Sequence, residues 1–420
     1  MPLLLIQSLF WIGAGLALLH FVVAGGFFFR LWTARRSLPA DADCPRAMVI
    51  LCLRGADPSL RRCLTNLLNQ NYPQFQVVIV VDDERDDAWR SAHEIVSASG
   101  AANVEIESLR RRPTTCGLKC AALAQAWSHL DEGYDVVATI DADVVPHSTW
   151  LRELVAPLVA DKRIGATCGN RWYRPQPVSW GAAVRYLWNI GAVVPMYWHG
   201  IAWGGSLCVR AAVLRQTDYR ERVLHALCED VMLQGVLRRA GLKLHFNPNL
   251  MIVNREDTTL RGFFHWMRRQ SLIMRLYHRD APVILGHGVL SGLFFFATPV
   301  VLLTAAVRGD LITLANVGFG FALFLASLYV PIPFLEAAVR RIVRRRDETV
   351  SPYAWPEIAR IFAALPLTQA CYAAAVATLL RARQIEWRGI HYRIEGPLKV
   401  TRLNDGAYQA VDDAELNRSL

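Results

Sequence analysis

An apolar run, Val136 to Ile140, leads directly into Asp141-Ala142-Asp143. Two carboxylates one residue apart at the end of a buried strand can hold a hard divalent cation, which keeps positions open for water and phosphate oxygens. Strand ends in an α/β sheet are also where ligands collect. A lone Asp-x-Asp is equally at home in a surface turn, so its meaning depends on its company. That company is acidic: Asp82-Asp83 ends a second apolar run, and Glu229-Asp230 opens a helical pattern that stops at Gly241. No His stands at ligand spacing beside Asp141 and Asp143, so magnesium or manganese fits this oxygen-only donor set better than zinc.

The elements that must position these acids alternate. Apolar runs at Ala47–Leu53 and Gln76–Val81 read as strands, and Pro58–Asn69 between them carries Leu60, Leu64, Leu67 and Leu68 at helical spacing. A helix over Trp89–Ser99, a loop, a helix over Leu118–Leu130 and the Asp-x-Asp strand continue the series. Strand-helix alternation predicts a Rossmann-like α/β fold with a mostly parallel sheet covered by helices on both faces.

The run Leu53-Arg54-Gly55-Ala56-Asp57-Pro58-Ser59-Leu60, then Gln70-Asn71-Tyr72-Pro73, resembles the opening of the ceramide glucosyltransferase family and its family 2 glycosyltransferase relatives. The resemblance continues in order through Asp82-Asp83, Asp141-Ala142-Asp143, Gly204-Gly205-Ser206 and Glu229-Asp230. It resumes at Trp387-Arg388-Gly389-Ile390-His391-Tyr392-Arg393. It implies a glycosyltransferase A-type fold and an inverting hexosyl transfer from a nucleotide-sugar donor, a UDP-sugar such as UDP-glucose, to a membrane lipid acceptor, ceramide-like or another.

On that resemblance each acid acquires a role. Asp143 is the direct metal ligand, with Asp141 on the metal or the ribose. Asp230, with Glu229 beside it, takes the proton of the attacking hydroxyl; otherwise the pair merely complements a helix N-terminus. Asp82 and Asp83 hold nucleobase and ribose, Asp83 being the favoured one, with Asp86-Asp87 as alternative counterparts. Arg54 joins the donor site, and Lys119 either reaches ribose or phosphate or is a solvated surface lysine. Gly204, Gly205 and Ser206 are assigned to the acceptor. The family's Arg-Trp pair survives only in part: Arg269 and Arg275 are retained for the diphosphate, but Gln270 stands where Trp is expected and Trp266 comes one helical turn earlier. Trp266 and Gln270 are therefore the expected acceptor contacts.

The chain of 420 residues is 53% hydrophobic, with mean hydropathy +0.22. Residues 1–29 contain no Asp, Glu, Lys or Arg, enough to span a bilayer core of about 30 Å. Arg30, Arg35 and Arg36 follow, which predicts an uncleaved anchor whose C-terminal side is cytoplasmic. The expected organisation is an anchor over 1–36, a cytoplasmic glycosyltransferase domain over 45–280, membrane helices over 281–380 and a basic, then polar tail over 381–420. Within 281–380, two apolar stretches form a hairpin, and residues 361–380 either cross or form a re-entrant segment; a cytoplasmic tail favours the second. The net charge of +10, from 46 basic and 36 acidic residues, collects beside apolar stretches. That points to the lipid bilayer rather than to nucleic acid. The nine cysteines are scattered, without a Cys-x-x-Cys pair, as buried thiols in a reducing compartment are. The aromatic-rich stretch Trp180–Trp203 is either a platform for a lipid acceptor or ordinary core. The rival readings are a processive polysaccharide synthase, which needs a helix-lined channel, and a non-catalytic membrane scaffold.

Overall fold

The computed structural model describes residues 1–175, 178–346, 348–379 and 381–405 of the chain. Seven strands form the central sheet: β1 (Ala47–Leu53), β2 (Phe75–Val81), β3 (Val104–Ser108), β4 (Val136–Ile140), β5 (Ile164–Tyr173), β6 (Ser206–Arg210) and β7 (Lys243–Asn254). Their order is β3-β2-β1-β4-β6-β5-β7. Only β6 runs against the others, antiparallel to both β4 and β5. The sheet is therefore α/β and mostly parallel, as expected. Alternation along β1 shows why it lies at the centre: Met48 and Ile50 enter one apolar layer, while Ala47, Val49, Leu51 and Leu53 enter the other. A strand covered on both faces must be apolar at every position.

The chain winds outward from β1 to β2 and β3, then returns to lay β4 on the free side of β1. That reversal is a topological switch point, where the C-terminal ends of β1 and β4 leave a crevice. Arg54-Gly55 and Asp141 emerge into it. The expected helices all occur, two with trimmed ends, as Leu60–Leu68 and Leu118–Ala126, and one begun two residues earlier, as Asp87–Ser99; Leu118–Ala126 runs on into a 3-10 turn over Trp127–His129. The pattern expected to open at Cys228 becomes helical only over Leu233–Arg239, so Asp230 sits in the preceding turn, its carbonyl accepting from Leu233 N–H at 3.0 Å.

A second, antiparallel sheet lies in the region expected to be a basic, then polar tail. It comprises β8 (Gln384–Trp387), β9 (Ile390–Gly396) and β10 (Lys399–Arg402), in the order β10-β9-β8. Along β9, Ile390, Tyr392 and Ile394 are buried and the residues between them exposed, a half-buried strand's period of two. The tail beyond residue 405 lies outside the described residues. The β8–β10 sheet is fastened to the body built on the central sheet: the Tyr392 hydroxyl accepts from Leu118 N–H at 3.2 Å, and Arg402 N–H donates to the Thr114 carbonyl at 2.7 Å.

Among the described residues, four helical segments are long and apolar enough to cross a membrane: Leu3–Trp32, Ala281–Val307, Leu311–Arg344 and Trp355–Leu379. The first packs along the third through two glycines; a Cβ on Gly13 would lie 2.6 Å from the Gly320 carbonyl oxygen. Small residues at such a crossing let helix backbones approach where lipid supplies no hydrophobic drive. The third segment runs through Val330 into the amphipathic helix Pro331–Arg344. This helix is bound to the body built on the central sheet by Glu336, which accepts from Trp172 Nε1 at 2.7 Å and from the Tyr186 hydroxyl at 2.9 Å. The helix Trp180–His199 answers the question of the aromatic stretch in two parts. Tyr186 lies in the core, whereas Trp180 and Trp198 at its ends are half exposed. Trp198 Nε1 donates to the Val23 carbonyl of the N-terminal helix at 3.0 Å.

Candidate active site

The crevice at the switch point opens into a cavity of about 170 Å³. Asp141 and Asp143 lie on its floor at the end of β4. Lys119, in the first turn of Leu118–Ala126, holds Asp141 Oδ1 at 2.7 Å and Glu229 Oε1 at 2.9 Å. It is thus a buried tie between two acids. Burial works against its charge, but Asp141 and Glu229 raise its pKa well above the usual lysine value. Burial likewise opposes ionisation of Asp141, yet Lys119 holds its carboxyl below the usual range. Glu229 is pushed up by burial, Lys119 opposing and Asp230 adding to the rise.

Asp143 differs from Asp141. Arg171 Nη1 is 3.5 Å from its Oδ2, while its Oδ1 is buried without a hydrogen-bond partner. Burial raises its pKa against the pull of Arg171. A buried, unsatisfied carboxylate oxygen facing a cavity has the chemistry of a vacant cation ligand. Mg²⁺ in particular is held by one or two carboxylates and completes its shell with phosphate and water oxygens. The residues therefore fit a divalent cation carried in with a diphosphate.

Asp230 is held by the backbone: its Oδ2 accepts from Gly204 N–H at 2.9 Å and its Oδ1 from Val231 N–H at 2.7 Å. Gly204 must be glycine, because a Cβ there would collide with Glu229 and lie 3.4 Å from Asp230 Oδ2. A Cβ on Gly205 would lie 2.7 Å from Asp141 Oδ2. These two glycines bring bare backbone against the acids. Ser206, by contrast, is fully buried in β6 and accepts from Trp150 Nε1 at 2.9 Å. It is a core residue and does not line the cavity, a correction to its assignment to the acceptor.

Two further assignments change. Asp82, and not the favoured Asp83, lines the cavity. It is buried and paired with Arg54 Nη1 and, at 3.2 Å, with Arg112. Asp83 is turned outward to Arg85 at 2.9 Å, whose side-chain bond holds its pKa down at about 2. Asp86 caps the helix Asp87–Ser99 and accepts from Gly55 N–H at 2.9 Å. Arg275, expected on the diphosphate, instead donates from Nη1 to the Leu379 carbonyl, at the end of the helix Leu365–Leu379. It faces away because it lies six residues after Arg269 on one helix, about 600° at 100° per residue, or 120° from the same direction.

Arg269, Trp266 and Gln270 do line the cavity, all from the helix Leu260–Tyr277. The Arg269 guanidinium lies 4.9 Å over the Trp387 ring; burial, then the nearby Arg388, lower its pKa to about 10. Trp266 meets Trp188 edge-to-face at 5.0 Å and Tyr173 at 6.1 Å. The sequence reading missed Arg171, Tyr173, Arg185 and Glu256, which form the wall beside Asp143. Arg171 lies 4.7 Å over Trp203 and donates to the Tyr173 hydroxyl at 3.0 Å. Glu256, 3.7 Å from Arg185, is pushed up to about 8 by burial and by Asp143. Arg388 and Trp387 also enter the cavity, from the C-terminal sheet. All nine cysteines are free, and Cys116 and Cys120 are simply buried.

Comparison with known proteins places this site in a family. A ceramide glucosyltransferase of Komagataella phaffii is 27% identical over 88 residues, which cover 20% of this chain and 16% of the relative. The match thus spans about a sixth of that relative's length. Among solved structures, a mannosyltransferase from Pyrobaculum calidifontis in complex with GDP-Man and Mn²⁺ is 18% identical, with a TM-score of 0.46, covering 89% of this chain and 99% of its own. A glucosyl-3-phosphoglycerate synthase from Mycobacterium tuberculosis in complex with Mn²⁺, UDP and phosphoglyceric acid is 17% identical, with a TM-score of 0.36, over 54% of this chain and 78% of its own. The model of glycosyl transferase family 21 matches residues 15–399, nearly the whole chain. The chain belongs to glycosyl transferase family 21.

Proposed function

We propose that this glycosyltransferase is membrane-bound, inverting and metal-dependent, and that it moves a hexosyl group from a nucleotide-sugar donor to a membrane lipid. The observation that carries the reading is the meeting of Asp141, Asp143, Asp230, Lys119 and Arg269 in or against one cavity beside apolar helices. A divalent cation on Asp143 would neutralise charge growing on the departing diphosphate. Arg269 would supply a planar fork to the same group. Asp82 and Arg54, on the β1–β2 side of the crevice, would receive nucleobase and ribose. Asp230, fixed by two backbone N–H groups, would take the proton from the attacking hydroxyl while the diphosphate leaves on the opposite side. A single displacement of that kind inverts the anomeric centre.

The ties at both ends of the fourth apolar segment support one membrane arrangement. Just before it, the Ser351 carbonyl accepts from Arg174 Nη2 at 2.5 Å and the Tyr353 ring lies 3.0 Å from the Arg174 guanidinium. Just after it, the C-terminal sheet docks on the same catalytic body. A single crossing would put those ends on opposite sides of a core about 30 Å thick. Residues 355–379 would therefore lie along the membrane surface on the catalytic side, where the exposed Trp355 could meet lipid. Residues 281–344 go out and return. Arg340, Arg341, Arg344, Arg345 and the tail are then all on the catalytic side, and that side is cytoplasmic by the positive-inside rule.

Incubating membranes from cells expressing the protein with radiolabelled UDP-glucose, and with other labelled nucleotide sugars in parallel, tests the proposal. A product that extracts into organic solvent and carries one sugar is expected. A water-insoluble polymer would replace the reading with a processive synthase; no transfer and no donor hydrolysis would leave a scaffold. Within that assay, Trp266→Ala is expected to lower lipid transfer by about tenfold while sparing slow donor hydrolysis, since an aromatic contact is worth about 0.5–1.5 kcal/mol beyond its buried area. Equal loss of both activities in folded protein would make Trp266 plain core.

A further inference from the structure

The turn joining β8 to β9 reaches the cavity on two residues. Trp387 pairs with Ile390, so Arg388 and Gly389 alone make the loop, with φ of 48° and 74°. Two positive φ values in a two-residue loop belong to the type I′ hairpin, where Asn, Asp and Gly are the usual occupants. Arg388 is the one non-glycine residue with positive φ among the described residues. A long side chain is thus held in a backbone conformation that smaller residues adopt more easily, a cost found where the side chain has a task.

Its surroundings define the task. Arg388 Nη1 donates to the Arg54 carbonyl at 2.5 Å, and Arg54 Nε returns a bond to the Arg388 carbonyl at 3.0 Å. Gly55, next to Arg54, stands at φ +75°, a left-handed conformation that favours glycine. Arg388 Nη2 is 3.5 Å from buried Asp57. The neighbouring Trp387 carries the Arg269 guanidinium on its ring. One hairpin tip therefore delivers a guanidinium and supports a second, both lining the cavity that holds Asp141 and Asp143. The two like charges are close enough for Arg388 to depress Arg269, an arrangement relieved by an anion with several oxygens.

We propose that Arg388 is a second cationic arm for the donor's diphosphate, paired with Arg269 and delivered by the C-terminal hairpin. The proposal rests on reading the donor as a nucleoside diphosphate sugar. A diphosphate offers non-bridging oxygens on both phosphorus atoms, so two planar forks can each engage it in bidentate fashion. The β8–β10 sheet then belongs to the donor site as much as β1 and β4 do.

The test is calorimetric titration of the full-length, detergent-solubilised protein with UDP, GDP and UMP in the presence of Mn²⁺. Arg388→Asn suits the αL turn, so its melting temperature is expected to match or exceed that of wild type. Its dissociation constant for the preferred diphosphate should rise about 10- to 100-fold, as for loss of a hydrogen-bonded charge. Affinity for UMP should change far less, and Arg388→Lys should recover part of the loss. Unchanged diphosphate affinity in Arg388→Asn, or in Arg388→Gly should the first variant not fold, would overturn the clamp while leaving the donor reading intact. Wild-type protein binding neither diphosphate would overturn both.

Discussion

Asp230→Asn is expected to cut sugar transfer by about two to four decades, the usual span for a lost general base. The substitution keeps the side chain's size and leaves an oxygen to accept from Gly204 N–H, so the turn before Leu233–Arg239 should persist. What it removes is the capacity to take a proton. On the proposed reading the donor would lie on the other acids, so its dissociation constant should stay within about twofold of wild type, a change under 0.5 kcal/mol. Steady-state transfer and calorimetric donor binding on the same preparation separate these effects. Turnover within a factor of three of wild type would make Asp230 a structural residue. Glu229 could not simply take over, since its carboxylate is buried and committed to Lys119.

The acids that meet at the candidate site were legible for a plain reason. β1, β2 and β4 are covered on both faces, so they stand out as apolar runs interrupted only by Gln76 in β2 and Thr139 in β4, and the first charged residue after each must lie at the sheet's C-terminal edge. The choice between Asp82 and Asp83 was also readable, from strand phase. Val78 and Val80 enter the apolar layer that contains Leu118 and Cys120, whereas Val77, Ile79 and Val81 enter the other. Asp82 continues the first series, onto the face where Lys119 also lies, and Asp83 continues the second. Arg171 and Tyr173 escaped notice because β5 does not keep one phase: it carries an extra residue against β7 between Ile164 and Ala166, and the adjacent Trp172 and Tyr173 both enter one apolar layer. Arg185 and Glu256 come from a helix and a loop whose meeting no local pattern announces. The C-terminal sheet did carry a signal, the alternation Ile390-His391-Tyr392-Arg393-Ile394. Its basic composition drew attention to charge instead of period.

Asp143→Asn is expected to lower transfer by about three decades, the loss that several kcal/mol of missing charge neutralisation would bring. In wild type, excess chelator should abolish transfer, and Mn²⁺ or Mg²⁺ should restore it; in the variant, added metal should restore nothing. The asymmetry of the two acids sharpens the prediction. Asp141 already has a cation, Lys119 at 2.7 Å, whereas Asp143 Oδ1 is buried and unsatisfied. Asp141→Asn should therefore retain part of the metal response, while freeing Lys119 to draw closer to Glu229, only 2.9 Å away. Its defect should show in donor affinity as well as in turnover. Titrating Mn²⁺ into each metal-stripped protein in the presence of UDP measures the difference directly: near-normal affinity is lost in Asp143→Asn and weakened in Asp141→Asn. Full transfer by wild type in excess chelator would sink the metal role for both. The charge on the leaving diphosphate would then fall to Lys119, Arg171 and the paired guanidiniums of Arg269 and Arg388, which already face the same cavity.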